Sequence, residues 1–182
     1  MKDLIKIKYW IFDLDNTLYP VSANLFDQID KRMCSYIANF LNTSESEAHK
    51  VQKSYFQEHG TSLRVMMENH KMDPIPYLDY VHKIDLSGIP RDEKMEKALD
   101  KLPGRKIVFT NAAAGYAGKV LERLGIDHHF EDIFDIVAAK FVPKPNPQVY
   151  ERFVRQYKID SKNSVMVGSS SYMKRLFQST NF

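Results

Sequence analysis

Four short, mostly apolar segments recur along the chain, and each ends at polar or small residues. They are Ile7–Phe12, Lys106–Phe109, Ile133–Ala139 and Ser164–Val167. Short runs rich in β-branched residues, separated by longer helical segments, are typical of parallel strands joined by crossover helices. The pattern therefore predicts an α/β core with a parallel sheet.

Boundary signals mark two helices of this core. Gly125 directly follows the apolar positions of a predicted helix over 115–124, and glycine is the residue that most often ends a helix. Asn146 and Pro147 supply an N-cap and a first-turn proline for a helix that runs to about Tyr157. Ligands bind at the carboxyl ends of the strands in such sheets, so polar residues there are the candidates for a site.

The segment 21–85 carries a different pattern, in which helix signals recur and no strand is predicted. Ser44 begins a capping box, Gly60 suits the end of that helix, and Asp73 stands before a proline as another N-cap. Apolar residues at three- and four-residue spacing predict an amphipathic helix over 26–40. This segment is therefore predicted to be an all-helical insert.

Length and composition fit this division. A chain of 182 residues can hold a core, predicted over 1–20 and 86–182, that carries a modest helical cap over 21–85. The net charge of +3 is small and no basic block occurs, which argues against nucleic acid as a partner. No run approaches the roughly 18 apolar residues of a membrane span, so we expect a cytoplasmic protein.

Two carboxylates stand where the first predicted strand ends, at Asp13 and Asp15. Carboxylates so close to a core are unfavourable unless a cation or a reacting group accompanies them. Their spacing suits a division of labour in which one attacks phosphorus and the other protonates the leaving oxygen and later deprotonates water. Capping of the next helix is the alternative, purely structural explanation.

The stretch from Asp13 to Thr17, Asp-Leu-Asp-Asn-Thr after an apolar strand, resembles the first motif of the haloacid-dehalogenase-like (HAD) superfamily. The longer stretch from Phe12 to Pro20 is similar to its pyrimidine 5′-nucleotidase-like branch, and the motif order matches from residue 7 to about 167. The resemblance implies a Rossmann-like three-layer core with a helical cap as lid. It implies a phosphohydrolase of small phosphorylated metabolites, with pyrimidine nucleoside monophosphates among the candidates, that forms an aspartyl-phosphate.

The resemblance also implies roles for individual residues. Asp13 would be the nucleophile and Asp15 the general acid and base. Both would bind Mg²⁺, Asp13 through its carboxylate and Asp15 through its backbone carbonyl. Thr110 and Asn111 match the second motif and would hold a phosphoryl oxygen with the hydroxyl and the neighbouring backbone N–H. Lys144 matches the third motif and would offset the charge of the nucleophile and the phosphoryl group.

The fourth motif departs from the family pattern. Family members place one or two acids after the fourth strand, whereas Val167 is followed by Gly168 and three serines, and no Asp or Glu occurs over 161–182. Ser169 stands where the third metal ligand is expected, and a neutral hydroxyl is a poor ligand for Mg²⁺. We therefore expect weakly bound Mg²⁺ and a truncated, frame-shifted or divergent C-terminus.

Two other functions stay open. Loss of the third ligand would suit a catalytically inactive binding or regulatory relic. A metal-independent dehalogenase would share the fold and the nucleophile, although the superfamily's dehalogenases lack the second acid that Asp15 supplies here. Release of phosphate or of halide, with and without Mg²⁺, separates the three. His128 and His129 are expected to make only loop contacts with the core.

Ser169→Asp is expected to tighten Mg²⁺ binding and to raise activity, because a carboxylate replaces a neutral hydroxyl at the ligand position. Without that carboxylate, the unmodified chain should turn over roughly 10²–10⁴-fold more slowly than an intact relative. Mg²⁺ titration and Mg²⁺-dependent hydrolysis of an aryl phosphate measure both effects. Tight Mg²⁺ binding and a normal enzyme rate in the unmodified chain would show that another acid supplies the ligand.

Overall fold

The computed structural model describes residues 4–168, and all structural statements refer to that part of the chain. The chain divides into two compact units, with breaks between Ala23 and Asn24 and between Leu86 and Ser87. We call 24–86 the helical unit and the segments on either side of it the sheet unit.

The helical unit contains four α-helices and no strand: α1 (Leu25–Leu41), α2 (Glu45–His59), α3 (Ser62–His70) and α4 (Pro74–Val81). The Ser44 side chain caps α2 by accepting a hydrogen bond from the Glu47 N–H, and Gly60 ends that helix at a φ of 72°. The Asp73 carboxylate accepts from the Ile75 N–H at the start of α4. These boundaries confirm the predicted ones, whereas α3 had no recognised signal.

Within residues 4–168, four parallel strands form the sheet of the sheet unit, in the order β3-β2-β1-β4. Its strands are β1 (Tyr9–Phe12), β2 (Arg105–Phe109), β3 (Asp132–Phe134) and β4 (Ser164–Val167). β1 lies between β2 and β4, so that Ile11 pairs with Ile107 on one side and with Met166 on the other. The predicted parallel α/β sheet is confirmed, and β4 has the predicted bounds.

Strand β3 is shorter than the apolar run over 133–139 predicts. Asp135 follows the strand, and its carboxylate accepts hydrogen bonds from the Ala114 N–H at 2.9 Å and from the Ala138 N–H at 2.8 Å. The chain then turns over 136–141. The C-terminal half of that strand prediction was wrong, because side-chain bonds to backbone N–H groups take the place of a strand ladder.

The described part of the sheet unit has three further α-helices: α5 (Glu93–Asp100), α6 (Ala114–Leu124) and α7 (Pro147–Tyr157). Gly125 ends α6 at a φ of 76°, and Asn146 caps α7 through the Gln148 N–H, as predicted. Helix α5 was not predicted. None of the helices in the described part of the chain is long and apolar enough to cross a membrane.

Aromatic rings join α7 to the sheet. The Phe109 ring of β2 stacks on Phe153 of α7 with centroids 4.7 Å apart, and it meets Phe134 and Tyr150 edge-on at 5.2 and 5.3 Å. All four residues are buried. Such ring pairs contribute about 0.5–1.5 kcal/mol each beyond the burial of area. The packing fixes the start of α7, and with it the loop over 142–146, relative to the end of β2.

Candidate active site

Asp13 lies at the edge of the sheet where β1, β2 and β4 end. It directly follows β1, and its N–H donates to the carbonyl of Val167, the last residue of β4, at 2.9 Å. Its Oδ1 accepts a hydrogen bond from the Leu14 N–H at 2.8 Å. The side chain is 14% exposed. The carboxylate is therefore largely withdrawn from water yet still reachable from outside.

Lys144 supplies the cation beside this carboxylate. Its Nζ donates to Asp13 Oδ1 at 2.8 Å and also to the carbonyl of Phe109 at the end of β2. The lysine side chain is only 5% exposed. Burial lowers the pKa of Lys144 because it disfavours the charged form, and the neighbouring Asp13 works in the opposite direction. The structure thus brings together two of the predicted site residues, and the ammonium is held by the carboxylate.

Asn111 holds the backbone of Lys144. Its Oδ1 accepts from the Lys144 N–H at 2.8 Å, and its Nδ2 donates to the Lys144 carbonyl at 3.1 Å. This side chain therefore ties the loop over 142–146 to the end of β2, a positioning role that the sequence did not reveal. The Asn111 backbone N–H has no acceptor within residues 4–168, so it can still receive a phosphoryl oxygen.

Thr110 is almost wholly buried at the end of β2, with 1% of the residue exposed. Its N–H donates to the Phe134 carbonyl at 3.0 Å, and its Oγ1 accepts from the Ala112 N–H at 3.0 Å. The hydroxyl is thereby held in one place by the turn that follows β2. A hydroxyl has one hydrogen to donate as well as lone pairs to accept with, so Thr110 can donate to an incoming oxygen.

Asp15 lies among hydroxyl groups rather than beside an ammonium. Tyr19 donates a short hydrogen bond to Asp15 Oδ1, the Tyr116 hydroxyl from α6 reaches the same oxygen at 3.4 Å, and the two hydroxyls are 3.2 Å apart. Burial raises the pKa of Asp15 and Asp13 adds to the rise, while the hydrogen bond from Tyr19 opposes it. Sequence reasoning missed both tyrosines, although Tyr19 follows Asp15 by four residues within the first motif.

Oxygen atoms at this edge fit Mg²⁺. Within residues 4–168, Asp13 Oδ2 and the backbone carbonyl of Asp15 accept no hydrogen bond. Mg²⁺ prefers hard oxygen ligands of this kind and keeps several waters. Gly168 follows β4 at the same edge, whereas Ser169, the expected third position, lies outside the described residues.

Comparison with known proteins gives one family and several relatives. A family model described as haloacid dehalogenase-like hydrolase matches residues 7–172. Phosphate metabolism protein 8 of Saccharomyces cerevisiae is 28% identical over 161 residues, which cover 79% of this chain and 50% of that protein. Glyceraldehyde 3-phosphate phosphatase of Methanopyrus kandleri is 26% identical over 177 residues, which cover 89% of this chain and 75% of that protein.

Solved structures show the same fold. A HAD phosphatase from Thermococcus onnurineus matches 97% of this chain and 84% of its own, with a TM-score of 0.62 at 16% sequence identity. At that identity the likeness concerns the fold alone. The chain also spans only about half of the length of the yeast relative.

Asp13→Asn and Lys144→Met are each expected to destabilise the protein, the lysine change by about 3–5 kcal/mol, because one partner of the buried pair is left uncompensated. The double variant should lose less than the sum of the two, with a coupling of about 0.5–3 kcal/mol. Urea unfolding followed by the fluorescence of Trp10, the single tryptophan and buried in β1, measures each free energy of unfolding.

Lys119→Met, on the exposed face of α6, is the matched control for this experiment and should change stability by less than about 0.5 kcal/mol. If the losses of the two single variants simply add in the double variant, the ion pair does not contribute as the geometry implies.

Proposed function

The chain belongs to the haloacid dehalogenase-like hydrolases, and from that premise we propose that it is a phosphohydrolase of small phosphomonoesters that works through an aspartyl-phosphate. The observation that carries the proposal is the contrast between two carboxylates two residues apart. Asp13 is bonded to the Lys144 ammonium at 2.8 Å, whereas the pKa of Asp15 is raised by burial among tyrosines. Two-step phosphoryl transfer needs one ionised nucleophile and one proton donor.

Asp13 is the nucleophile of the proposed reaction. The Lys144 ammonium and the Leu14 N–H both donate to Oδ1, and Oδ2 is free of hydrogen bonds from residues 4–168. Phosphoryl transfer depends mainly on positioning and on positive charge around the phosphoryl oxygens. Lys144, the Thr110 hydroxyl and the Asn111 N–H supply that environment, and the Asn111 side chain keeps the lysine in place.

Asp15 is the proposed general acid and base. A raised pKa keeps a larger share of this carboxyl protonated than an exposed aspartate would be, so it can protonate the leaving oxygen in the first step. In the second step its carboxylate takes a proton from the water that hydrolyses the aspartyl-phosphate. The Tyr19 and Tyr116 hydroxyls fix the orientation of the carboxyl group in both steps.

Mg²⁺ is the proposed cofactor. Asp13 Oδ2 and the Asp15 backbone carbonyl would hold it, and the bound ion would add positive charge beside the phosphoryl group. The hydrolases of this family generally use this ion. Its retention is expected to be weak where Ser169 replaces a carboxylate.

The substrate class follows from two observations of different kinds. One relative is a phosphatase of glyceraldehyde 3-phosphate, which is a small phosphomonoester. The stretch from Phe12 to Pro20 is similar to the pyrimidine 5′-nucleotidase-like branch. We therefore propose small phosphorylated metabolites as substrates, with pyrimidine nucleoside monophosphates as the first to be assayed.

Asp13→Asn is expected to abolish release of phosphate from an aryl phosphate in the presence of Mg²⁺, because the amide keeps the shape but is not a nucleophile. Asp160→Asn is the matched control. Asp160 lies before the amino end of β4, away from Asp13, and accepts from the Lys162 N–H and from the Asn163 side chain. An asparagine can keep the first of these bonds, so the rate should stay unchanged. If the Asp13→Asn protein hydrolyses the ester at the rate of the unmodified chain, Asp13 is not the nucleophile. If the unmodified chain releases no phosphate at any Mg²⁺ concentration, the result favours the inactive relic.

Asp15→Asn is expected to slow turnover by roughly 10²–10⁴-fold and to accumulate the phosphorylated chain. An aryl phosphate has a good leaving group, so the first step survives without the acid, whereas attack by water still lacks its base. Quenched-reaction mass spectrometry should detect one added phosphoryl group on the Asp15→Asn chain. The same group should be absent from the Asp13→Asn chain, which would place it on Asp13. Turnover at the normal rate without such accumulation would exclude Asp15 as general acid and base.

A further inference from the structure

A second cluster of chemistry-bearing side chains lies in the sheet unit. It consists of Glu96 on α5 and of His128 and His129 in the short 3₁₀ helix Asp127–His129, and one ligand atom of each residue lies within 4.8 Å of the other two. Helix α5 and the 3₁₀ helix lead into the amino ends of β2 and β3, whereas Asp13 lies at the carboxyl ends of the strands. The cluster is therefore separate from the candidate active site.

The two imidazoles are arranged alike. His128 has its Nε2 3.8 Å from Glu96 Oε1 and its Nδ1 3.9 Å from Asp127 Oδ1. His129 has its Nδ1 3.8 Å from Asp100 Oδ1. Metal-bound histidines present one ring nitrogen to the metal and the other to a carboxylate or carbonyl. In both residues that arrangement leaves Nε2 as the ligand atom.

His129 gives the strongest sign that a ligand belongs here. Its side chain is only 8% exposed, and its Nε2 has no hydrogen-bond partner within residues 4–168. A buried polar atom without a partner costs about 1–3 kcal/mol. A bound cation would satisfy this nitrogen and remove that cost.

We propose that Glu96, His128 and His129 bind a divalent transition metal ion such as Zn²⁺. Two imidazole nitrogens, one carboxylate oxygen and a water make up the ligand set of many open zinc sites, whereas Mg²⁺ prefers oxygen ligands alone. The carboxylates of Asp100 and Asp127 add negative charge around the site. The ion joins α5 to the turn before β3, so its binding stabilises the folded sheet unit.

The ligand atoms, which all lie within 4.8 Å of one another, are somewhat farther apart than a bound ion would hold them. Tetrahedral zinc with bonds of about 2.0–2.1 Å places neighbouring ligand atoms roughly 3.3 Å apart. The 3.8 Å between His128 Nε2 and Glu96 Oε1 needs only a small adjustment to reach that value. Arg91 competes for the same carboxylate, because its Nη2 lies 3.1 Å from both oxygens of Glu96. Its side chain is 63% exposed and can move away.

Zn²⁺ titration by calorimetry tests the proposal, with the unmodified chain as the parent, and the binding that remains in His128→Ala gives the contribution of the Asp13 edge. One further ion should bind per chain and raise the unfolding temperature. His128→Ala and Glu96→Gln, both at accessible positions, should each weaken binding at least about tenfold, and Asp127→Asn should weaken it by about 10–100-fold. Arg91→Ala should tighten binding, since it removes the competitor for Glu96.

His49→Ala is the matched control, because His49 is an exposed histidine on α2 in the helical unit. It should leave the affinity for Zn²⁺ unchanged. Equal losses in His49→Ala and His128→Ala, or no binding of Zn²⁺ to the parent, would overturn the proposal. Circular dichroism of each variant confirms that a lost affinity does not come from a lost fold.

Discussion

The buried ion pair between Asp13 and Lys144 is the interaction on which the candidate active site depends. An ammonium that is 5% exposed is unfavourable unless partners meet its charge and its hydrogen-bonding hydrogens. Those partners are the carboxylate that follows β1 and the Phe109 carbonyl at the end of β2. The lysine itself comes from the loop before α7. Because all three segments must meet before the charge is compensated, assembly of the site is coupled to assembly of the sheet.

Parts of this arrangement were predictable from local signals. Parallel strands place their carboxyl ends at one edge, so acids after β1 and a lysine after β3 were expected to converge there. Two other hydrogen bonds were not predictable, because they join residues far apart in sequence. Asn111 bonds to the backbone of Lys144, 33 residues away, and Asp135 bonds to the Ala114 N–H, 21 residues away. A side-chain hydrogen bond to a distant backbone group produces no periodic pattern of apolar and polar residues in the sequence. The hydrogen bonds of the Asp135 carboxylate to backbone N–H groups are also the reason that β3 ends before the apolar run over 133–139 does.

The two aspartates show how environment separates the chemistry of identical side chains. Asp13 accepts a hydrogen bond from the Lys144 ammonium. Asp15 receives its hydrogen bonds from the neutral hydroxyls of Tyr19 and Tyr116, which stabilise a carboxylate less than a cation in contact would. Burial therefore outweighs the hydrogen bonds, and the pKa of Asp15 rises. Helix α6, which carries Tyr116, thus influences an acid in the loop that follows the first strand, an effect that the first motif alone does not reveal.

The type of donor atom separates the candidate active site from the proposed site at Glu96. The candidate active site offers oxygen atoms and an ammonium, which suits Mg²⁺ and disfavours softer ions. The cluster of Glu96, His128 and His129 offers two imidazoles, which favour transition metals over Mg²⁺. If both proposals hold, each ion has its own preferred place on the sheet unit, and occupancy of one site need not exclude occupancy of the other. One sheet can carry the two sites because they lie at opposite ends of its strands. The loops at the amino ends of β2 and β3 carry different residues from the loops at their carboxyl ends.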